Sequence, residues 1–435
     1  MSSGCECRGD GGPRWTAWLW LAALWVLGTA APQAVAQQGV DAEKSKAAVQ
    51  ALTQSLGAAE FDPNRLEKAE FARVPLTKAD AEAARTALWK HRAARLRAER
   101  QAEHDARELR EGELKMPFFY SVAGEKPKGG RSLWISLHGG GGAPPRVNDQ
   151  QWENQKRLYK VEEGVYLAPR APTNTWNLWH EGHIDTLFQR LIENLVLFEE
   201  VSPNRVYVLG YSAGGDGVYQ IGPRMADSWA AAAMMAGHPN GVSLLSLRNV
   251  PFALQVGGND GAYNRNGVGR EYGQTLEKLH AEDPQGYFNF VKIHEGKGHW
   301  MNLEDAAALP WMAKYSRNPV PERVVWKQTG RLHERMYWLA VPAKEAQPDS
   351  LVVARRDAQR IVIEKGEKVP KLVVRLDDRL VNLDQPVKIE QGERVLFEGV
   401  LPRTIQNLWT CLADRADEPL MYPAATTVEL VTPAG

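Results

Sequence analysis

Between residues 116 and 318 the chain alternates short apolar runs with amphipathic stretches. The runs have the length of β-strands, whereas the stretches between them, such as residues 183–200 and 270–282, have the spacing of helices. Strands that are apolar on both faces and separated by helices predict a doubly wound, mostly parallel sheet covered on both sides. The predicted strands are residues 131–139, 164–170, 205–211, 229–237, 251–258 and 287–295.

The regions on either side of this alternation have different patterns. Residues 37–115 are rich in Ala, Glu, Lys and Arg, and residues 78–114 contain no Pro and one Gly, which predicts a long helix with Thr77 or Asp80 as its N-cap. Residues 321–435 carry short β-prone runs broken by turn residues, which predict a small, sandwich-like all-β domain. The predicted organisation is an N-terminal helical region (37–115), an α/β domain (116–320) and a C-terminal β domain (321–435).

The first 36 residues have the pattern of an export signal. Residues 15–31 carry no charge and an Ala-Val-Ala site follows at 34–36, which predicts a signal peptide over residues 1–36 and a secreted or periplasmic protein. An uncleaved membrane anchor is the alternative, since the apolar run approaches the roughly 17 residues that span a bilayer. Only in that case is a membrane a predicted partner. Cleavage removes two of the 3 cysteines, and Cys411 alone cannot form an internal disulfide.

Charge and composition narrow the classes of partner. The 53 Lys and Arg balance 53 Asp and Glu, so the formal net charge is +0 and gives no electrostatic reason to expect nucleic acid. Hydrophobic residues make up 43% of the chain and charged residues 24%, as in an ordinary globular protein. This excludes a disordered polyelectrolyte and a multi-span membrane protein, and it leaves the oligomeric state open.

A serine nucleophile is the chemistry that the α/β region indicates. The sequence Gly-Tyr-Ser-Ala-Gly at residues 210–214 follows a predicted strand and precedes a predicted helix, which is the position of a nucleophile elbow. Such a turn presents the hydroxyl of Ser212 above the sheet and directs the N–H of Ala213 at a developing negative charge. The run His-Gly-Gly-Gly-Gly at residues 138–142 ends another strand, and Gly140 or Gly141 is expected to donate the second N–H of an oxyanion hole.

An elbow serine requires an acid and a base later in the chain. Asp260 follows the strand at 251–258 and His299 follows the strand at 287–295, so both are expected at the carboxyl edge of the sheet beside Ser212. His299 is the predicted base, and Asp260 is predicted to orient its imidazole. The alternatives are His294, which lies within a strand, Asp216, which is close to the elbow, and Asp283, which ends a helix.

These motifs together resemble the α/β-hydrolase superfamily. The likeness covers about residues 116–318 and is greatest to secreted esterases of the polyhydroxybutyrate depolymerase and feruloyl esterase type, with dienelactone hydrolases as more distant relatives. It implies a serine esterase that forms an acyl-enzyme, takes a small-molecule or polymeric ester and needs no cofactor. The open alternatives are a peptidase of the prolyl-oligopeptidase kind and a non-catalytic binding protein on the same fold.

Four further side chains are predicted to contact substrate. Trp176 and Trp179 follow a strand on the active-site side, where an indole can pack a sugar ring, a phenolic acid or an acyl chain, although core packing explains a Trp equally well. His238 and Trp300 follow strands at the same edge. The run His-Glu-Gly-His at residues 180–183 lacks the spacing of a zinc motif and a third ligand, so we predict no metal.

Overall fold

The computed structural model describes residues 39–58 and 62–431. The predicted signal peptide at residues 1–36 lies outside the described residues. Within them, no helix combines the length and the apolar character needed to cross a bilayer. The helices are α1 (Ala42–Leu56), α2 (Pro63–Lys68), α3 (Lys78–Ala106), α4 (Pro145–Gln155), α5 (His183–Phe198), α6 (Ala213–Arg224), α7 (Arg265–Glu282), α8 (Ala308–Met312) and α9 (Ile405–Asp414).

An eight-stranded sheet, in the order β1-β2-β4-β3-β5-β6-β7-β8, forms the centre of the α/β region. All neighbours from β4 to β8 run parallel, whereas β1 and β2 form an antiparallel edge. The mostly parallel sheet that the apolar runs predict is therefore confirmed. The strands are β1 (Glu108–Glu111), β2 (Leu114–Ala123), β3 (Arg131–Leu137), β4 (Gly164–Pro169), β5 (Val201–Tyr211), β6 (Ala231–Met235), β7 (Phe252–Gly257) and β8 (Asn289–His294).

The long N-terminal helix is shorter than its composition predicts. Thr77 accepts a hydrogen bond from the N–H of Asp80 and begins α3 as one of the two expected caps. The helix ends at Ala106 because Arg107 takes a left-handed conformation, and β1 and β2 follow as a hairpin that turns at Gly112. Residues 108–114 thus belong to the edge of the sheet, where the composition predicts helix.

Two further sheets follow residue 321. One has the order β16-β15-β13-β12-β9 and the other the order β10-β11-β14-β17. Helix α9 lies between β16 and β17 in the chain and packs on β17, so this region carries a ten-residue helix beside the predicted strands. The strands are β9 (Arg323–Lys327), β10 (Arg335–Met336), β11 (Leu339–Ala340), β12 (Leu351–Asp357), β13 (Arg360–Glu367), β14 (Lys371–Leu376), β15 (Val387–Gln391), β16 (Arg394–Gly399) and β17 (Ala424–Glu429).

One hydrophobic cluster extends from Ala48 in α1 through the central sheet to Leu430 near the end of the chain, and the described residues belong to one compact unit. Buried ion pairs join its parts. Arg317 binds Asp417 through two bonds of 2.6 and 2.9 Å, and Arg415 binds Asp227 at 3.0 Å. The domain boundaries at 115/116 and 320/321 stay predictions.

Candidate active site

Ser212 lies at a sharp turn between β5 and α6, at the carboxyl end of the parallel strands. Its backbone angles are φ 56° and ψ −122°, a strained region for a residue with a side chain. A Cβ on Gly210 would lie 2.3 Å from the carbonyl oxygen of Gly214, and a Cβ on Gly214 would lie 2.2 Å from that of Leu137. The two glycines are therefore necessary for strand and helix to approach this closely.

His299 and Asp260 meet Ser212 at this turn. Nε2 of His299 lies 3.0 Å from Oγ of Ser212, and Nδ1 lies 2.7 Å from Oδ2 of Asp260. The side chain of Asp260 is 1% exposed, whereas that of His299 is 42% exposed. A buried carboxylate that accepts the Nδ1–H leaves Nε2 free to accept the proton of the serine hydroxyl. The structure thus brings the three predicted residues within hydrogen-bonding reach of one another.

Tyr211 holds the loop that carries the imidazole. Its hydroxyl donates to the carbonyl oxygen of His299 at 2.6 Å and accepts the N–H of Met301 at 3.1 Å. Burial raises the pKa of Tyr211, so the hydroxyl stays protonated and keeps its donor. The sequence alone predicts no role for Tyr211, because the variable position of the elbow motif carries no chemical signal of its own.

The glycine-rich loop is held in place by the residue that precedes it. The ring of His138 is fully buried, with Nδ1 2.6 Å from the carbonyl oxygen of Gly139 and Nε2 accepting the N–H of Ala171 at 3.1 Å. Burial lowers the pKa of His138 to about 4, so the ring is neutral and Nδ1 is its donor. Because the C=O and the next N–H of a trans peptide point in opposite directions, this bond also orients the N–H of Gly140.

Asn148, at the first turn of α4, holds the other side of this loop. Its buried Oδ1 accepts the N–H of Gly141 at 2.8 Å, and its Nδ2 donates to the carbonyl oxygen of Ala143 at 3.1 Å. The prediction that Gly141 donates to an oxyanion is therefore wrong, since its N–H is already bonded. The N–H of Gly140 has no acceptor among residues 39–58 and 62–431, and that of Ala213 precedes the first bond within α6.

Two cavities flank the serine, and both reach His299 and Gly140. The first, of about 560 Å³, is called the Arg265 lobe and contains the predicted substrate contacts Trp176 and His238. The second, of about 480 Å³, is called the Trp300 lobe and contains the predicted contact Trp300. The other residues of the Arg265 lobe are Gly141, Ala213, Asp216, Asn240, Tyr263 and Arg265, and those of the Trp300 lobe are Gly139, Val147, Gln151, Asn154, Gln155, Leu158 and Tyr211.

Trp176 and Trp179 have opposite environments. Trp176 is 62% exposed, whereas Trp179 is fully buried and its indole N–H donates to the carbonyl oxygen of His138 at 2.9 Å. The prediction that Trp179 contacts substrate is therefore wrong. The large apolar surface of Trp179 lies in the core, and the hydrogen bond of its indole N–H satisfies its one polar atom there.

The alternative acids and bases have other contacts. Nε2 of His294 lies 2.9 Å from Oε1 of Gln255, within the sheet. Asp283 forms ion pairs with two arginines outside the site. Asp216 lines the Arg265 lobe, but its Oδ1 accepts the backbone N–H of His238 at 2.6 Å.

Side chains of the run at residues 180–183 contact one another. Nε2 of His183 lies 3.3 Å from Oε2 of Glu181, and burial lowers the pKa of His180 to about 4. In the part of the chain that the structure describes, no group of three or more His, Cys, Asp or Glu side chains could hold a metal ion.

Esterases and other serine hydrolases are among the solved structures similar to this chain, while no protein-family model and no curated protein matches it. A thermostable esterase shares 20% sequence identity over 48% of this chain and 62% of its own, with a TM-score of 0.38. A poly(3-hydroxybutyrate) depolymerase from Bordetella parapertussis shares 15% identity over 48% of this chain and 87% of its own, with a TM-score of 0.36. A ferulic acid esterase shares 17% identity over 48% of this chain and 95% of its own, with a TM-score of 0.35.

Proposed function

We propose that this protein is a serine hydrolase that cleaves carboxylic esters through an acyl-enzyme. Ser212 is the nucleophile, His299 the general base and acid, and Asp260 the group that orients the imidazole. The N–H groups of Gly140 and Ala213 form the oxyanion hole. The substrate is a small-molecule or polymeric ester. The predicted signal peptide adds export to the proposal, and N-terminal sequencing of the mature protein would test it, with Gln37 expected first.

The proposed reaction has two halves. Oγ of Ser212 attacks the ester carbonyl carbon while Nε2 of His299 takes its proton, and the two N–H groups stabilise the oxyanion. The tetrahedral intermediate collapses, and the alcohol leaves with the proton from His299. Water then gives a proton to His299 and attacks the acyl carbon, which releases the carboxylic acid and returns the proton to Ser212.

The observation that carries the proposal is the pair of hydrogen bonds from Asp260 through His299 to Ser212, at 2.7 and 3.0 Å. Two features beside it support the same chemistry. Ser212 lines two open cavities rather than the core, and Gly140 and Ala213, whose N–H groups have no acceptor among the described residues, line one of the same cavities. A structural hydrogen-bond chain would require neither feature.

A fluorophosphonate and a small substrate panel test the proposal. We expect the phosphonate to label Ser212, and we expect Ser212→Ala to lose both labelling and hydrolysis of p-nitrophenyl acetate and butyrate. Ser243→Ala, at a half-buried serine that lines neither cavity, is the matched control and should behave like the wild type. Preference for a dipeptide amide would favour a peptidase. A folded wild-type protein that resists the phosphonate would refute the proposal.

A further inference from the structure

Arg265, the first residue of α7, has an unusual environment for a buried arginine. Its side chain lines the Arg265 lobe beside Ser212, although the residue is only 8% exposed. Nε is buried without a hydrogen-bond partner, and the one bond from Nη1, to the carbonyl oxygen of Ala262, is 3.4 Å long. The guanidinium carbon lies 4.8 Å from the ring centre of Tyr263, a contact that leaves the N–H groups unused.

The other buried arginines of the described chain all have a carboxylate within 4.0 Å, and Arg265 has none. Those paired arginines are Arg85, Arg170, Arg224, Arg248, Arg317 and Arg403. A buried guanidinium without an anionic partner carries a large desolvation cost. For an arginine in a cavity next to a reactive serine, a bound ligand that supplies the missing anion offsets this desolvation cost.

The acid that lines the same lobe does not fill this role. Asp216 lines the same lobe, but it lies beyond ion-pair distance of Arg265, and its Oδ1 is bonded to the N–H of His238. Burial raises the pKa of Asp216, while Arg265 lowers it by a smaller amount. The Trp300 lobe differs, since apart from His299, which both lobes share, its lining has no ionisable side chain except the phenol of Tyr211. The two halves of the site therefore suit different chemical groups.

We propose that the Arg265 lobe binds a carboxylate of the substrate, so that the preferred esters carry an anionic group on one side of the scissile bond. This rests on the proposed esterase function and adds a substrate class to it. The planar guanidinium offers its unused N–H groups to two carboxylate oxygens, and Trp176 and Tyr263, 62% and 79% exposed, flank the anion with flat apolar surfaces. The neutral remainder of the ester occupies the Trp300 lobe.

Two series of esters distinguish an anion in the acyl group from an anion in the alcohol. The first compares p-nitrophenyl hydrogen glutarate with the p-nitrophenyl ester of methyl glutarate. The second compares 3-carboxyphenyl butyrate with its methyl ester. In one series we expect kcat/KM to be higher for the carboxylate than for its methyl ester. Arg265→Gln should lower the ratio of kcat/KM for the anionic ester to kcat/KM for the neutral ester about tenfold or more, which is the size expected for a charged hydrogen bond. Dividing the ratio of the variant by the ratio of the wild type cancels the difference in intrinsic reactivity between the two esters.

Two further variants separate recognition from folding. Arg265→Lys keeps the charge and should restore part of the ratio. Arg270→Gln removes an exposed arginine from the same helix, where it pairs with Glu295, and should leave the ratio unchanged. The inference is overturned if Arg265→Gln leaves the anionic-to-neutral ratio unchanged in both series. An equal fall of kcat/KM for both esters of each pair would be such a result. Neutral esters would still be cleaved in that case, whereas failure of the proposed function would abolish every turnover and the labelling of Ser212.

Discussion

Asn148 should be a positioning residue for the oxyanion hole, and Asn148→Ala tests this. The substitution removes the acceptor of the Gly141 N–H and the donor to the carbonyl oxygen of Ala143. The Nδ2 of Asn148 also donates to Oδ1 of Asn174, but that oxygen keeps Arg170 as a donor, so the two groups that lose their partners are the half-buried N–H of Gly141 and carbonyl oxygen of Ala143. An unsatisfied buried group costs about 1–3 kcal/mol, and water reaches half-buried groups, so the free energy of unfolding should fall by about 1–3 kcal/mol in total.

The effect on catalysis follows from the position of Gly140. Loss of one oxyanion donor costs about 10²–10³ in kcat. The bond from His138 to the carbonyl oxygen of Gly139 remains in the variant and still holds half of the loop. We therefore expect kcat to fall about ten- to a hundredfold, less than for complete loss of the donor. KM should change little, because the N–H contacts the oxyanion and not the ground-state ester.

Steady-state kinetics on a neutral p-nitrophenyl ester, together with thermal unfolding of the same samples, would measure both effects. Glu153→Gln is the matched control, since Glu153 lies on the same helix, is exposed and lines neither cavity beside Ser212. It should keep kcat near the wild-type value. A folded Asn148→Ala with wild-type kcat would refute the reasoning, as would a change confined to KM.

Two more predictions concern stability. Burial raises the pKa of Asp417, but Arg317 and Arg415 outweigh burial, so the folded pKa lies below the usual value. The contribution of this carboxylate to the free energy of unfolding is therefore full above about pH 4 and is lost as the pH falls through the lower folded pKa. Asp417→Asn removes the shared carboxylate at a cost of about 3–5 kcal/mol and, for a compact unit of this size, should lower Tm by about 4–6 °C. Glu200→Gln, at an exposed pair, should leave Tm unchanged, and equal Tm values for the two variants would contradict this. His138 takes a proton near pH 6.5 when unfolded but only at about pH 4 when folded, because burial lowers its pKa, so the free energy of unfolding should fall by about 3 kcal/mol between those values. Urea unfolding from pH 8 to pH 4 would measure this, and His138→Gln should flatten the curve in that window; parallel curves would refute it.

The sequence predicts the sheet and the meeting of Ser212, Asp260 and His299 because each depends on local information. A strand is visible as an apolar run, and the carboxyl ends of neighbouring parallel strands lie at one edge of the sheet. Residues that follow different strands can therefore be placed together without knowledge of any contact. The same reasoning fails for Asn148 and Arg265, whose environments depend on how distant segments pack. Neither occupies a motif position, and neither residue type is distinctive on a helix.

The misassigned Trp179 and Gly141 show what the local pattern lacks. Trp179 donates to the carbonyl oxygen of His138, whose ring in turn holds Gly139, while Gly141 is bonded to Asn148. Both residues therefore fix the loop on either side of Gly140 and leave that N–H without an acceptor among the described residues. A donor fixed before substrate arrives needs no reorganisation when charge develops, and this makes an oxyanion hole effective. A run of four glycines is flexible by composition, so its rigidity here must come from the side chains around it, which the glycine motif alone cannot reveal.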